Sequence, residues 1–179
     1  MGDSWPMWQR DYRYGVLAII PPANLASVLD RIRERLDPIS AARVSAHITL
    51  TPPFAAAPSS ADEERVQTTI RGAASIELRL DRPRHFSGSS VFYLPVVPTQ
   101  PFGELRALLL ATNLFRLDLP HTTDFVPHLS LSEFGPAAAA LEPDVALPEH
   151  TAFQAEAVAW LAPNEAFHFT VRRTFPLAA

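Results

Sequence analysis

The chain has 179 residues, is 47% hydrophobic and carries a net charge of −4 at pH 7. The negative charge argues against a protein that coats duplex DNA or RNA, since such proteins carry a basic surface. It contains no cysteine, which excludes a thiol nucleophile, a disulfide framework and a cysteine-based metal site. All fifteen basic residues are arginine, which excludes the lysine–nucleotide intermediate of nucleic-acid ligases, a Schiff base and a P-loop lysine.

The first half of the chain predicts an N-terminal extension followed by alternating strands and helices. Residues 1–10 form the extension and contain two tryptophans. Apolar spacing then predicts a strand over 12–20, a helix over 24–36, a strand over 44–51, a helix from a Ser60/Glu63 capping box to about residue 74, and a strand over 76–84. On the first helix, Arg31, Arg33 and Arg35 are expected to face solvent.

The second half repeats this order after a turn at 87–90. The pattern predicts a strand over 91–97, a helix capped by Thr99 that runs to about residue 115, a strand over 125–132, a helical turn near 136–141, and strands near 152–161 and 166–175. Inward positions on the helix are predicted to be Phe102, Leu105, Leu108, Leu109 and Thr112. The repeated order indicates one bilobal domain over 11–179, with lobe-forming halves of about 11–88 and 89–179.

Two of the predicted strands share a short histidine pattern. Residues 47–54 read HITLTPPF, and residues 128–134 read HLSLSEF. Since side chains alternate along a strand, His47 and Thr49 are expected on one face, and His128 and Ser130 on the corresponding face of the second strand. Two imidazoles and two hydroxyls in one cleft would suit acid–base chemistry on a phosphate. His168 opens a similar HFTV segment, but it lacks the second hydroxyl position and is expected to be structural or peripheral.

With its two His-x-Thr/Ser-x motifs, one in each half, the chain resembles the 2H phosphoesterase superfamily, which includes bacterial 2′-5′ RNA ligase proteins and cyclic nucleotide phosphodiesterases. The resemblance covers about residues 12–176, although only the motifs are specific. It implies an α+β fold: a duplicated, bilobal antiparallel-sheet domain with helices on the outer faces and a central cleft. The TPPF run after the first motif departs from the Phe-Leu-Gly run of many family phosphodiesterases, which leaves the substrate open.

The residues and the resemblance together predict an enzyme, a metal-independent hydrolase of a cyclic phosphate. The expected substrate is a nucleoside or RNA-terminal 2′,3′-cyclic phosphate, and the reverse 2′-5′ joining would proceed without a lysine intermediate. His47 and His128 are the expected catalytic pair, and Thr49 and Ser130 the expected phosphate ligands. No cofactor or metal is expected. The alternatives are a non-catalytic nucleotide- or RNA-end-binding module of the same fold, and a metal-dependent hydrolase.

Other polar and aromatic residues are expected to have structural or surface roles. For Phe54, Tyr93, Phe134 and Trp160, core packing is favoured over base stacking. Arg79, Arg82 and Arg84 are expected on a solvated strand face rather than along a phosphate path, and His85, His121 and His150 on the surface or in loops. The sequence shows no secretory signal and no membrane-length apolar run, so a cytoplasmic monomer without membrane or duplex DNA partners is expected.

Overall fold

The computed structural model of the protein describes residues 7–120, 122, 124–133 and 146–178. Along the chain its elements are α1 (Met7–Asp11), β1 (Val16–Ile19), α2 (Ala23–Leu36), α3 (Pro38–Arg43), β2 (Ile48–Thr49), α4 (Ser60–Arg71), β3 (Ile76–Leu80), β4 (Arg84–His85), β5 (Phe92–Val97), α5 (Thr99–Leu110), β6 (His128–Ser132), β7 (Ala152–Ala155), β8 (Ala157–Pro163) and β9 (Phe169–Pro176). The predicted helical turn near 136–141 lies outside the described residues. No helix in the described ranges is long and apolar enough to cross a membrane.

The strands form two antiparallel sheets. The first has the order β2-β1-β8-β9; in the second, β5 pairs with β3, β4 and β6, and β3 also pairs with β7. The two sheets do not coincide with the predicted halves 11–88 and 89–179, because β8 and β9 return to pair beside β1. Both motif strands, β2 and β6, lie at sheet edges and contact each other across the boundary between the sheets.

The apolar faces of the helices and strands share one large buried cluster. From α2 it takes Leu25, Leu29 and Ile32, and from α4 Val66 and Ile70. On α2 these residues are spaced three and four apart, as the apolar spacing that predicted this helix requires. On α5, Phe102, Leu105 and Leu109 are buried as predicted, whereas Leu108 is 51% exposed and Thr112 lies beyond the end of the helix.

The start of α4 and both ends of α5 differ from their predicted positions because of local hydrogen bonds and backbone geometry. The capping box of α4 is formed by Ser59 and Asp62, one residue earlier than predicted, and Ser59 Oγ accepts from the Asp62 amide at 3.3 Å. Helix α5 begins after Pro98 rather than at a Thr99 side-chain cap. It ends at Leu110, well before residue 115, and Asn113 follows with a positive φ of 59° that no α-helix continues through.

Several predicted strands are shorter in the structure because side chains or other strands take their backbone partners. In the segment before β2, the Val44 carbonyl accepts from Arg33 and the Ala46 amide donates to Asp30, so pairing is limited to Ile48–Thr49. The predicted strand over 152–161 divides into β7 and β8, which belong to different sheets. Strand β1 begins after Gly15, whose φ of 80° and close approach to the Leu161 carbonyl leave no room for a Cβ.

Candidate active site

One cavity of about 810 Å³ is lined by all four predicted site residues. His47 and Thr49 reach it from the β2 edge of the first sheet, and His128 and Ser130 reach it from β6 in the second. The volume is in the range of small-molecule sites in proteins. Two segments 81 residues apart in the chain therefore contribute matching side chains to one concave surface.

The predicted alternation of faces is present in both motif strands. Ile48 and Leu50 behind the first motif are fully buried, as is Leu129 behind the second, and Leu131 is 1% exposed. The intervening histidine and hydroxyl side chains are half-buried on the cavity side. Neither hydroxyl, Thr49 or Ser130, makes a hydrogen bond to another described residue, so both can donate to a molecule in the cavity.

Each of the two imidazoles is held by a backbone carbonyl two residues earlier in the chain. Nδ1 of His47 lies 2.8 Å from the carbonyl oxygen of Ser45, and Nδ1 of His128 lies 2.7 Å from that of Val126. Because a carbonyl oxygen only accepts, Nδ1 carries the proton and donates in each pair. The neutral tautomer therefore leaves Nε2 as the acceptor, and protonation of Nε2 turns it into a donor.

Burial favours the neutral form of both histidines. Desolvation lowers the pKa of His47 from 6.5 to about 4. The backbone bond to Ser45 and the Asp30 carboxylate oppose this shift, and the charges of Arg33 and His128 add to it. The pKa of His128 is also lowered, first by desolvation, while its backbone bond to Val126 and the Glu133 carboxylate oppose that shift. In the free protein at neutral pH, both Nε2 atoms are therefore proton acceptors.

Aromatic rings surround His128. Its ring centroid lies 5.0 Å from Phe86 and 5.4 Å from Tyr93, both edge-on, and 6.0 Å from Phe125. Phe86 and Tyr93 stack on each other with centroids 3.9 Å apart. This packing fixes the imidazole plane and accounts for much of its desolvation.

Arg33 is the residue that the sequence analysis misplaced. Arg31 and Arg35 on α2 are exposed as predicted, but Arg33 is 2% exposed and the expectation of a solvated side chain is wrong. Its guanidinium donates to the Val44 and Ser130 carbonyls at 2.6 and 3.0 Å and pairs with Asp30 at 3.1 Å. The alternation of Arg with apolar residues along α2 carries no local signal for this burial.

A second arginine, Arg106 on α5, was not singled out by the sequence analysis. It is 8% exposed, lines the cavity and donates to the Leu50 carbonyl at 2.6 Å and to the Thr122 carbonyl at 3.0 Å. Its guanidinium carbon also lies 4.1 Å from the ring centroid of Phe125. Burial lowers its pKa to about 10, so it stays charged at neutral pH.

The remaining described residues that were predicted to pack in the core or to lie on the surface do so. Phe54 and Tyr93 are buried in the core, Trp160 packs against it, and none of the three lines the cavity, whereas Phe134 lies outside the described residues. His85, His150 and His168 are exposed and outside the cavity lining, as are Arg79, Arg82 and Arg84. His121 lies outside the described residues.

The aromatic wall of the cavity comes instead from residues that the sequence analysis left unassigned. Trp8 and Tyr12, from α1 and the turn that follows it, line the cavity together with Phe167 and Phe169 of the β8–β9 hairpin. Trp8 meets Phe167 edge-on at 5.5 Å between ring centroids. The part of the predicted extension that the structure describes therefore contributes to the site.

The cavity lining combines titratable side chains of both charge signs. Within the part of the chain that the structure describes, no group of three or more histidine, cysteine, aspartate or glutamate residues is placed to hold a metal ion. Arg43 and Arg106 bring positive charge to the lining, and Asp124 and Glu133 bring negative charge. The arrangement offers two imidazoles, two hydroxyls and arginine cations for an anionic ligand.

Two antiparallel sheets with one histidine motif on each side of a shared cavity define the 2H phosphoesterase class of fold. The chain belongs to the 2′-5′ RNA ligase superfamily, whose family model it matches over residues 21–175. It matches no curated protein at the sequence level. The predicted family and α+β fold class are thereby confirmed.

Solved structures similar to the chain support the fold. Escherichia coli LigT complexed with phosphate is 18% identical, with a TM-score of 0.63 over 93% of this chain and 98% of LigT. The same protein complexed with 3′-AMP is 17% identical, with a TM-score of 0.65 and the same coverage. A crystal structure described as a phosphoesterase is 19% identical, with a TM-score of 0.62 over 92% and 98% of the two chains.

Proposed function

We propose that the protein is a metal-independent phosphoesterase that hydrolyses a nucleoside or RNA-terminal 2′,3′-cyclic phosphate. The observation that carries this proposal is the matched state of the two motif histidines. Each donates from Nδ1 to a carbonyl two residues earlier, which leaves Nε2 as the acceptor, and both histidines line one cavity. A matched pair of this kind suits a reaction that needs a base and an acid at the same phosphorus atom.

The proposed reaction proceeds by in-line attack of water. The neutral Nε2 of one histidine takes a proton from water as the water oxygen forms a bond to phosphorus. The bond from phosphorus to one ribose oxygen breaks, and the protonated Nε2 of the other histidine donates its proton to that oxygen. The product is a ribose phosphomonoester. In the reverse direction the two imidazoles exchange roles, which would permit 2′-5′ joining without a lysine adduct.

Thr49 and Ser130 are proposed to stabilise the phosphate as negative charge builds up on its non-bridging oxygens. Their hydroxyls have no partner among the described residues and lie on the histidine face of each motif strand. Preorganised donors of this kind cost little reorganisation during the reaction. The bound anion would also raise the pKa of both histidines, which supplies the protonated acid that burial disfavours in the free protein.

Nucleotide recognition is supported by the cavity lining and by the similar structures. LigT has been crystallised with phosphate and with 3′-AMP. In the present protein, aromatic side chains and two arginines line the same cavity as the histidines. Planar rings suit a base, and arginine suits a phosphate.

The direct test is turnover of 2′,3′-cyclic AMP in the presence of EDTA, followed by separation of the cyclic and opened nucleotides. The control is the His47→Ala/His128→Ala double variant purified in the same way, which identifies turnover by a contaminating hydrolase. Turnover by the natural chain alone supports the proposal. Binding of the nucleotide without turnover would instead favour a non-catalytic binding module, and activity that requires added metal would favour a metal-dependent hydrolase.

A further inference from the structure

The distance between the two motif histidines is not set by backbone pairing. Strand β2 pairs with β1, and β6 pairs with β5, so the motifs belong to different sheets, and no described β2 residue pairs with β6. In-line acid–base chemistry nevertheless needs the two imidazoles at a fixed separation. Side chains that connect the two strands therefore have to define that separation.

Arg33 makes this connection from α2. One donated hydrogen bond goes to Val44, three residues before the first motif, and another goes to the Ser130 carbonyl inside the second motif. Asp30 completes the unit, because its carboxylate pairs with Arg33 and accepts from the Ala46 amide at 2.6 Å. One buried guanidinium thus joins the segment before the first motif to the second motif, whose Ser130 lies 97 residues from Arg33 in sequence.

Arg106 makes the reciprocal connection from α5. It donates to Thr122, in the segment that leads to the second motif, and to the Leu50 carbonyl at the end of the first. Each arginine therefore contacts the approach to the motif of its own half of the chain and the motif strand of the other half. Planar guanidinium groups suit this task because they hold several donors in one rigid arrangement.

We propose that Arg33 is a positioning residue, which together with Arg106 holds the two motif strands at the separation that the paired histidines need. This inference rests on the proposed function for its catalytic consequence, although the structural connection exists without it. Neither arginine is assigned a proton-transfer role. The expected signature of such a residue is a loss of kcat with little change in KM, because substrate contacts remain.

The test compares Arg33→Lys with Arg31→Lys, a matched change at an exposed position of the same helix. Lysine keeps the charge but cannot reproduce the fork of donors to separate carbonyl groups. Arg33→Lys is expected to lower kcat for 2′,3′-cyclic AMP about 10- to 100-fold with KM changed less than about threefold, and Arg31→Lys to change neither. A third variant, Arg33→Met, also removes the charge that lowers the pKa of His47. It should therefore move the acid limb of the pH–rate profile upward, whereas Arg33→Lys should leave that limb in place.

A second readout does not depend on activity. In the folded Arg33→Lys variant, the imidazole NMR signals of His128 should shift as well as those of His47, while Arg31→Lys leaves both unmoved. Unchanged His128 signals, or full kcat in folded Arg33→Lys, would overturn the proposal. If the natural chain turns over no cyclic nucleotide, the proposed function fails and the NMR result alone decides the positioning role. If Arg33→Lys does not fold, Arg106→Lys applies the NMR test, with His47 as the reporter; its KM is not part of the test, because Arg106 lines the cavity.

Discussion

The lowered pKa values of the motif histidines predict an acidic optimum for kcat/KM. This parameter reports the ionisation of groups in the free enzyme, where burial lowers the pKa of His47 to about 4 and that of His128 below 6.5. The active form needs one neutral and one protonated imidazole. The acid limb of the profile should therefore lie near pH 4, and the alkaline limb should lie below pH 6.5, whichever histidine is the base.

The size of the effect follows from these values. With an alkaline limb no higher than 6.5, kcat/KM at pH 7.5 should be at least about tenfold below its maximum, because the protonated fraction of the acid falls tenfold per pH unit. The profile of kcat should lie at higher pH than that of kcat/KM. Its groups titrate with a phosphate anion beside them, and a nearby negative charge raises the pKa of a histidine.

The assay is the initial rate with 2′,3′-cyclic AMP well below KM, from pH 3.5 to 9 at constant ionic strength. Circular dichroism at each pH separates loss of activity from unfolding. A kcat/KM maximum at or above pH 7 with the fold intact would refute the reasoning, because it would mean that burial does not govern ionisation in the cavity. A single-limbed profile would contradict the paired acid and base.

Three further predictions concern the site. His47→Ala and His128→Ala should each lower the rate by roughly 100- to 10,000-fold, and the double variant should lose less than the product of the two. His168→Ala should leave the rate nearly unchanged. An unchanged rate in His128→Ala together with a lost rate in His168→Ala would show that the motifs were paired wrongly. Thr49→Val and Ser130→Ala should each lower kcat at saturating substrate by a smaller factor, on the order of 10- to 1000-fold. An unchanged kcat would mean that the hydroxyl is not a phosphate ligand. Exhaustive EDTA treatment should leave turnover intact; loss that zinc or manganese restores would contradict the metal-free mechanism.

The sequence predicted those features that depend on local periodicity. Two-residue alternation separates His47 from Ile48 in any extended segment, so the faces of both motif strands could be read without a tertiary structure. Helical spacing likewise predicted the inward face of α2 through Leu25, Leu29 and Ile32. The absence of lysine is a property of composition, and it excludes an adenylated lysine irrespective of the fold.

Non-local packing decided the features that the sequence analysis missed. Val44–Thr51 was predicted as one strand, but its early backbone groups bind side chains of α2, which no period within the segment reveals. The break between β7 and β8 likewise depends on which strand each one pairs with. Pairing partners of this kind are chosen by the whole fold rather than by local propensity.

The candidate site also combines features that the local sequence predicts with features that only tertiary packing decides. The sequence by itself predicted the pair that is proposed to carry the chemistry, His47 and His128, because the motif is contained in a few adjacent positions. Only the tertiary structure decided that Arg33 is buried while Arg31 is exposed, since the segments covering that face of α2 come from distant parts of the chain. The lowered pKa of His47 has the same origin: desolvation is produced by neighbours that the fold brings together, and a linear sequence does not state them.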